Sequence, residues 1–310
     1  MKKIGIIGMG ALGLLFGGKM LEASRDGRLD AQVSFLMDDA RLARYAGARY
    51  TVNGVEADYP RTAPRDFGAA DLILFATKYT GLPQAIECVA PSVKRDTVFL
   101  SVLNGISSER MIAERYGAGH VLYAVAQEMD AQRTGESLRY VNAGRILMGV
   151  PRGGSAALQR DLEAVAGVFD RSGIHYAVEK DIESRLWSKL MLNVGINQTC
   201  MLFDTGYGGA LVQDSAARAV LVSAMREVIP VANRAGVPLN ENDLAEYLAI
   251  VGRLSPEALP SMAQDRRARR PSEVDIFAGE IIRQGRAFGI PTPVNDWILS
   301  RVREIERGYA

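Results

Sequence analysis

Over its first half the chain alternates short apolar, β-branched runs with segments of helical spacing. Lys3 to Ile7, Val33 to Met37, Asp71 to Ala76, Thr97 to Val102 and Val121 to Ala126 read as strands. The run Asp71-Leu-Ile-Leu-Phe-Ala76 is apolar at nearly every position, as a strand covered on both faces is. Between the first two strands, Ala11 to Leu21 sets Leu12, Leu15, Phe16 and Met20 on one side of a helix. Strands alternating with helices predict βαβ units and a parallel sheet. Residues 49–59 and 138–150 read as strand pairs with glycine and asparagine turns that extend that sheet.

From about residue 180 the pattern changes to helical spacing, with no strand pattern. Asp181 to Phe203, Ser215 to Ala235, Asn242 to Arg253, Glu273 to Phe288 and Thr292 to Ile305 read as helices. Gly236-Val237-Pro238 and Gly289-Ile290-Pro291 are stop signals, a helix-ending glycine followed by proline. Pro271-Ser272, followed by Asp275, reads as a helix start capped by Ser272. The pattern predicts a doubly wound parallel sheet over residues 1–180 and an all-helical domain over 181–310.

Composition narrows the function classes. A chain of 310 residues is long for one core, so two domains are expected. A net charge of +1 gives no general electrostatic reason to bind nucleic acid or a membrane surface. Cys88 and Cys200 stand far apart, which excludes a disulfide framework and fits a reducing compartment. No apolar run reaches the roughly 18 residues that span a bilayer. Met1-Lys2-Lys3 leads straight into a strand rather than a signal peptide, so a cytoplasmic protein is expected. His120 and His175 share no ligand spacing; they read as structural, and no metal is expected.

Two stretches carry candidate chemistry. Gly8-Met9-Gly10-Ala11-Leu12-Gly13 is a GxGxxG sequence between a strand and a helix, the context that a Rossmann-type dinucleotide turn requires. Gly8 makes the turn, Gly10 lets a pyrophosphate approach the helix N-terminus, and Gly13 lets helix and strand pack closely. Asp38 ends the second strand, where an acid accepts hydrogen bonds from the adenosine ribose and favours NAD(H). Arg41 and Arg44 follow closely and offer cations for a 2′-phosphate, which leaves NADP(H) open. In the second half, Lys189, Asn193 and Asn197 fall at i, i+4 and i+8, a polar stripe on an otherwise apolar helix. Met191, Met201 and Phe203 read as core, Cys200 as a buried thiol, and Arg266, Arg267, Arg269 and Arg270 as a solvated basic face.

Taken together, Gly8 to Gly13, Ala76-Thr77-Lys78, Asn104-Gly105, the Lys189-Asn193-Asn197 helix, Ser261 to Asp265 with Ser272 to Asp275, and Gly289 to Asn295 resemble the ketopantoate reductase family (2-dehydropantoate 2-reductases) over nearly the whole chain. The resemblance implies a Rossmann-type domain followed by a helical domain like the C-terminal one of 6-phosphogluconate dehydrogenase. It implies NAD(P)H-dependent reduction of 2-dehydropantoate to pantoate, on the way to coenzyme A, with NADP(H) the family's usual cofactor. Lys189 then matches the catalytic proton donor and Glu273 the glutamate that pairs with it. Asn193, Asn197, Ser261 and Asn104 match substrate-contacting positions. Lys78, Asn104 and Glu273 match the nicotinamide end of the cofactor site. The implied partner is a small 2-oxo acid, and a homodimer is left open. Asp38 stands where the family commonly has arginine, Ser272 replaces a threonine, and Phe277-Ala278-Gly279 lacks the asparagine that many members place before the glycine. Two alternatives stand beside this reading: a reductase of another branched 2-oxo acid, and a non-catalytic dinucleotide-binding sensor.

Overall fold

The computed structural model describes residues 1–309; Ala310, the last residue of the expected helical domain, lies outside the described residues. The chain divides into two compact units. The first comprises Met1–Asn104 and Ser108–Glu183, and the second Gly105–Ser107 together with the chain from Ser184 onward.

The first unit contains β1 (Lys3–Ile7), β2 (Gln32–Leu36), β3 (Tyr50–Val52), β4 (Val55–Ala57), β5 (Arg61–Thr62), β6 (Leu72–Phe75), β7 (Val98–Ser101), β8 (Val121–Met129), β9 (Gln132–Thr134), β10 (Ser137–Arg139), β11 (Ala143–Gly149) and β12 (Tyr176–Val178). Its helices are α1 (Ala11–Arg25), α2 (Asp39–Tyr45), α3 (Pro64–Phe67), α4 (Leu82–Cys88), α5 (Ser108–Tyr116) and α6 (Ala156–Ser172). The main sheet runs β12-β11-β8-β7-β6-β1-β2-β5. From β1 the chain winds outward through β2 to β5, then returns to the other side of β1 for β6, β7 and β8. The strand order therefore reverses between β1 and β6, at the switch point where open α/β sheets bind ligands. Both faces are covered, as the apolar runs require. Ile4 and Ile6 pack with Phe16 of α1 and Phe169 of α6, while Ile7, Ile73 and Phe75 pack with Ile86 of α4 and Ile112 of α5.

The strand pairs expected to extend this sheet divide between two sheets. β11 joins the main sheet antiparallel to β8. The hairpins β3–β4 and β9–β10 instead form a separate four-stranded sheet, joined by parallel pairing of β3 with β10. Strands of three residues carry too little alternation to show which sheet they join.

The second unit contains α7 (Ile182–Leu192, its first two residues still in the first unit), α8 (Gln198–Phe203), α9 (Tyr207–Leu211), α10 (Ala216–Arg234), α11 (Glu241–Val251), α12 (Ser261–Arg267), α13 (Ala278–Phe288) and α14 (Pro293–Arg307). A π-helical turn, Asn193–Asn197, links α7 to α8 in one continuous rod. Gly195 lies in that turn: a Cβ there would stand 2.5 Å from Met225 Cγ, so only glycine lets the turn sit against α10. The Glu227 carboxylate of α10 accepts from the amides of Val294 (2.7 Å) and Asn295 (2.9 Å) and so caps α14.

Three expectations need correction here. Glu273 does not begin a long helix: it precedes a short 3₁₀ turn, Val274–Ile276, and α13 starts only at Ala278. The Ala278 amide there finds its acceptor in Gln198 Oε1 at 2.9 Å rather than in Ser272. Phe203, expected in the core, is 39 % exposed, because the chain leaves the helix at Asp204 in a left-handed conformation.

Candidate active site

The glycine turn lies between β1 and α1, at the switch point of the sheet. Gly8 has φ +109°, and a Cβ on it would fall 2.4 Å from the Ala76 carbonyl oxygen. A Cβ on Gly13 would fall 2.0 Å from the Gly8 carbonyl oxygen. Both glycines are therefore demanded by the fold. Gly10 is not: its Cβ would meet only Ala76 O, at 3.6 Å, an ordinary contact. The space kept open there needs another explanation, and a ligand supplies one.

Met9, Gly10, Ala11 and Leu12 complete the turn into α1, which has neither a side-chain cap at its N-terminus nor an acid in its first turn. Its leading N–H groups are suited to an anion. Beside the turn, Thr77 Oγ1 is buried without a hydrogen-bond partner. An open cradle at Gly10, uncapped amides and an orphaned hydroxyl all fit the diphosphate of a dinucleotide. Lys78 follows β6 and Asn104 follows β7, both at C-terminal strand ends.

Asp38 follows β2, but its carboxylate, expected to face ribose hydroxyls, is used within the chain. Oδ1 accepts from the Arg41 amide at 2.8 Å as the cap of α2, and Oδ2 pairs with Arg41 Nη1 at 3.0 Å. Arg41 Nη2 in turn donates to Gln84 Oε1 at 3.0 Å. Arg44 lies over the Tyr45 ring, 5.8 Å from its centroid.

In the second unit the structure gathers Lys189, Asn193, Asn197, Ser261 and Glu273. The hydroxyl of Ser261 (3.0 Å) and the amide of Met262 (3.4 Å) both donate to Asn197 Oδ1. Asn197 Nδ2 then donates to Asn193 Oδ1 at 2.8 Å. This chain fixes the orientation of both amides and leaves Asn193 Nδ2 as a donor for a ligand. The π turn is the local device that brings the two asparagines together, and such turns recur at functional sites.

One turn before Asn193, burial pulls the Lys189 ammonium down to about 8, while the Glu273 carboxylate works in the opposite direction. Glu273 thus lies within electrostatic reach of Lys189, although the two are far apart in sequence. An amine held near 8 is protonated at neutral pH yet gives up its proton readily.

Two participants escaped the sequence reading. Gln198 is fully buried, donates to Val194 O at 2.7 Å and accepts from Ala278, and so ties the π turn to α13. Its signal was a second polar residue directly after Asn197 on an apolar helix. The Tyr247 hydroxyl of α11 is hydrogen-bonded with Ser188, next to Lys189; no spacing in the sequence links those positions. Of the basic run after Ser261, Arg267, Arg269 and Arg270 are exposed, as a solvated face requires, while Arg266 is half-buried. Arg266 donates to the carbonyls of Met201 and Leu202, closing α8, while Arg267 pairs with Asp204 and Arg270 with Asp265. Cys200 is buried, and its thiol is pushed up to about 12 by desolvation.

A sheet with a glycine turn at its switch point, followed by a helical unit with a half-buried lysine of lowered pKa, defines a dinucleotide-dependent oxidoreductase. The comparisons agree. The profile described as ketopantoate reductase PanE/ApbA matches residues 4–153, and the profile of that family's C terminal part matches residues 181–306. The chain belongs to the ketopantoate reductase family. It is 27 % identical, over 99 % of both chains, to a 2-dehydropantoate 2-reductase of Mesorhizobium japonicum. It is similar to the crystal structure of a PanE/ApbA family ketopantoate reductase from Ralstonia eutropha JMP134, with TM-score 0.82, 25 % identity and 99 % of both chains covered. It also shares its fold with D-mandelate dehydrogenase in a ternary structure with NADH and anilino(oxo)acetate, with TM-score 0.84, 22 % identity and 99 % of both chains covered. Among the described residues no helix is long and apolar enough to cross a membrane.

Proposed function

We propose that the chain reduces a branched 2-oxo acid to the 2-hydroxy acid, with 2-dehydropantoate the leading substrate and pantoate the product. The observation that carries the reading is the constellation in the second unit: an ammonium held near 8 beside a carboxylate, followed by an oriented pair of asparagine amides. A bound NAD(P)H supplies the hydride that the chain's own side chains do not.

The residues meet the remaining demands of the reaction. Reduction turns a ketone oxygen into an alkoxide, and the Lys189 ammonium both stabilises that charge and delivers the proton that completes the hydroxyl. Glu273 holds Lys189 in its charged form, countering the desolvation that would otherwise leave too little ammonium at neutral pH. Asn193 Nδ2, oriented through Asn197 and Ser261, offers a neutral donor to the substrate's carboxylate or hydroxyl oxygens. Lys78 and Asn104 are assigned to the nicotinamide end of the cofactor site.

For the cofactor, Asp38 favours NADH, since a carboxylate repels a 2′-phosphate. Arg41 partly neutralises it and stands ready to receive that phosphate if the pair opens. Consumption of NADH and of NADPH with a panel of branched 2-oxo acids tests substrate and cofactor together. The reading requires turnover with 2-dehydropantoate or a close branched analogue; cofactor binding without turnover of any member would favour a sensor.

A further inference from the structure

We infer that Arg133, carried by the separate four-stranded sheet, contacts the cofactor diphosphate at the glycine turn. The inference rests on reading that turn as the dinucleotide site. Arg133 stands in β9, far along the chain from the turn, yet its Nη1 donates to the backbone carbonyl of Met9, immediately before Gly10, the residue that leads into α1. Nε is held by the Gly135 carbonyl at 2.7 Å. The guanidinium lies over the Tyr50 ring, 5.6 Å from its centroid, and the Tyr50 hydroxyl donates to the Met9 sulfur at 3.8 Å. One arginine is thus positioned by three elements: its own hairpin, an aromatic from β3, and the turn itself.

No carboxylate is paired with Arg133 among the described residues, and its Nη2 amine has no acceptor among them. Placing a half-buried cation on the turn without a counter-charge is unfavourable unless an anion joins it. The turn also presents the uncapped amides of α1, so an anion there would receive backbone N–H groups from one side and guanidinium N–H groups from the other. The second sheet then has a role that the main sheet cannot fill: it delivers a cation to a turn whose own residues are all uncharged.

Binding of ADP and of adenosine, each measured by displacement of fluorescent reduced cofactor, isolates the diphosphate. A charge-assisted bond contributes about 1.5–3 kcal/mol, and about 1.4 kcal/mol is tenfold. Arg133→Met should therefore weaken ADP by about 10- to 100-fold while changing adenosine by less than about twofold. Arg133→Lys, which keeps the charge, should recover part of the loss, and the unliganded melting temperature of both variants should stay near the parent's. ADP affinity within about twofold of the parent in Arg133→Met overturns the assignment. So does full recovery by Arg133→Gln, which can still bond Met9 but carries no charge, because the role would then be to hold the turn. A parent that binds neither ADP nor reduced cofactor refutes the reading of the turn itself, a result distinct from the other two.

Discussion

Replacing Glu273 by glutamine tests how the chain tunes its proton donor. Burial and Glu273 act on Lys189 in opposite directions, and the balance leaves it at about 8, well below the ordinary 10.5. Glutamine keeps the size and removes the charge, so the ammonium loses its counterweight and its pKa must fall further. Glu273 is only partly buried, and partly exposed ion pairs contribute about 1 kcal/mol. With about 1.4 kcal/mol per pKa unit, the expected fall is about half a unit to one unit. Lys189 must be protonated to act, so kcat/KM should decline above about pH 8 in the parent, and that alkaline limb should move to lower pH in Glu273→Gln. Profiles of kcat/KM from about pH 6 to 10 report the free enzyme. An unmoved limb, or one displaced upward, would refute the electrostatic role given to Glu273.

Four further outcomes follow from the same geometry. Lys189→Met should raise stability while abolishing turnover. Its depressed pKa means that the folded chain resists a proton the unfolded chain holds, a penalty of up to about 3 kcal/mol below pH 8 that fades as pH rises toward 10.5; urea denaturation at pH 7 and pH 10 checks it. Glu109 is buried, with Oε2 accepting from Ser108 Oγ and Oε1 unpartnered, and burial pushes its carboxyl up to about 7. The folded chain then keeps a proton that the unfolded chain loses, so stability should fall as pH rises from about 4.5 to 7, and Glu109→Gln should flatten that slope, gaining up to about 3 kcal/mol above it. Asp38→Ala frees Arg41 and should shift the ratio of kcat/KM for NADPH over NADH upward by about tenfold; an unchanged ratio removes Asp38 from cofactor choice. Gly10→Ala should fold normally but bind reduced cofactor at least about tenfold more weakly, whereas Gly13→Ala, with its Cβ against the Gly8 carbonyl, should lower the melting temperature.

The parallel strands were legible because burial on both faces leaves near-continuous apolar runs such as Leu72–Phe75. The helices that end at Arg234 and Phe288 were legible because glycine and proline stop them. The four-stranded sheet was not, since its strands are three residues long and their partners lie far apart in sequence. The start of α13 was misplaced because its first amide is capped by Gln198 from another helix, a tertiary contact with no local signature. In the site, the lysine–asparagine stripe could be read from spacing, but the π turn that orients it could not. Glu273 entered through family resemblance alone, and Arg133 left no sequence signal, because its partner is a backbone carbonyl on a distant turn.

The most direct test of the central claim is steady-state consumption of reduced cofactor with 2-dehydropantoate by the parent and by Lys189→Ala, alongside cofactor binding to both. If Lys189 is the proton donor, the parent turns the substrate over, the variant binds cofactor as tightly as the parent, and its kcat falls by about 10²- to 10⁴-fold. A loss of less than about tenfold in kcat, or a parent inactive on every branched 2-oxo acid tried, would contradict the account.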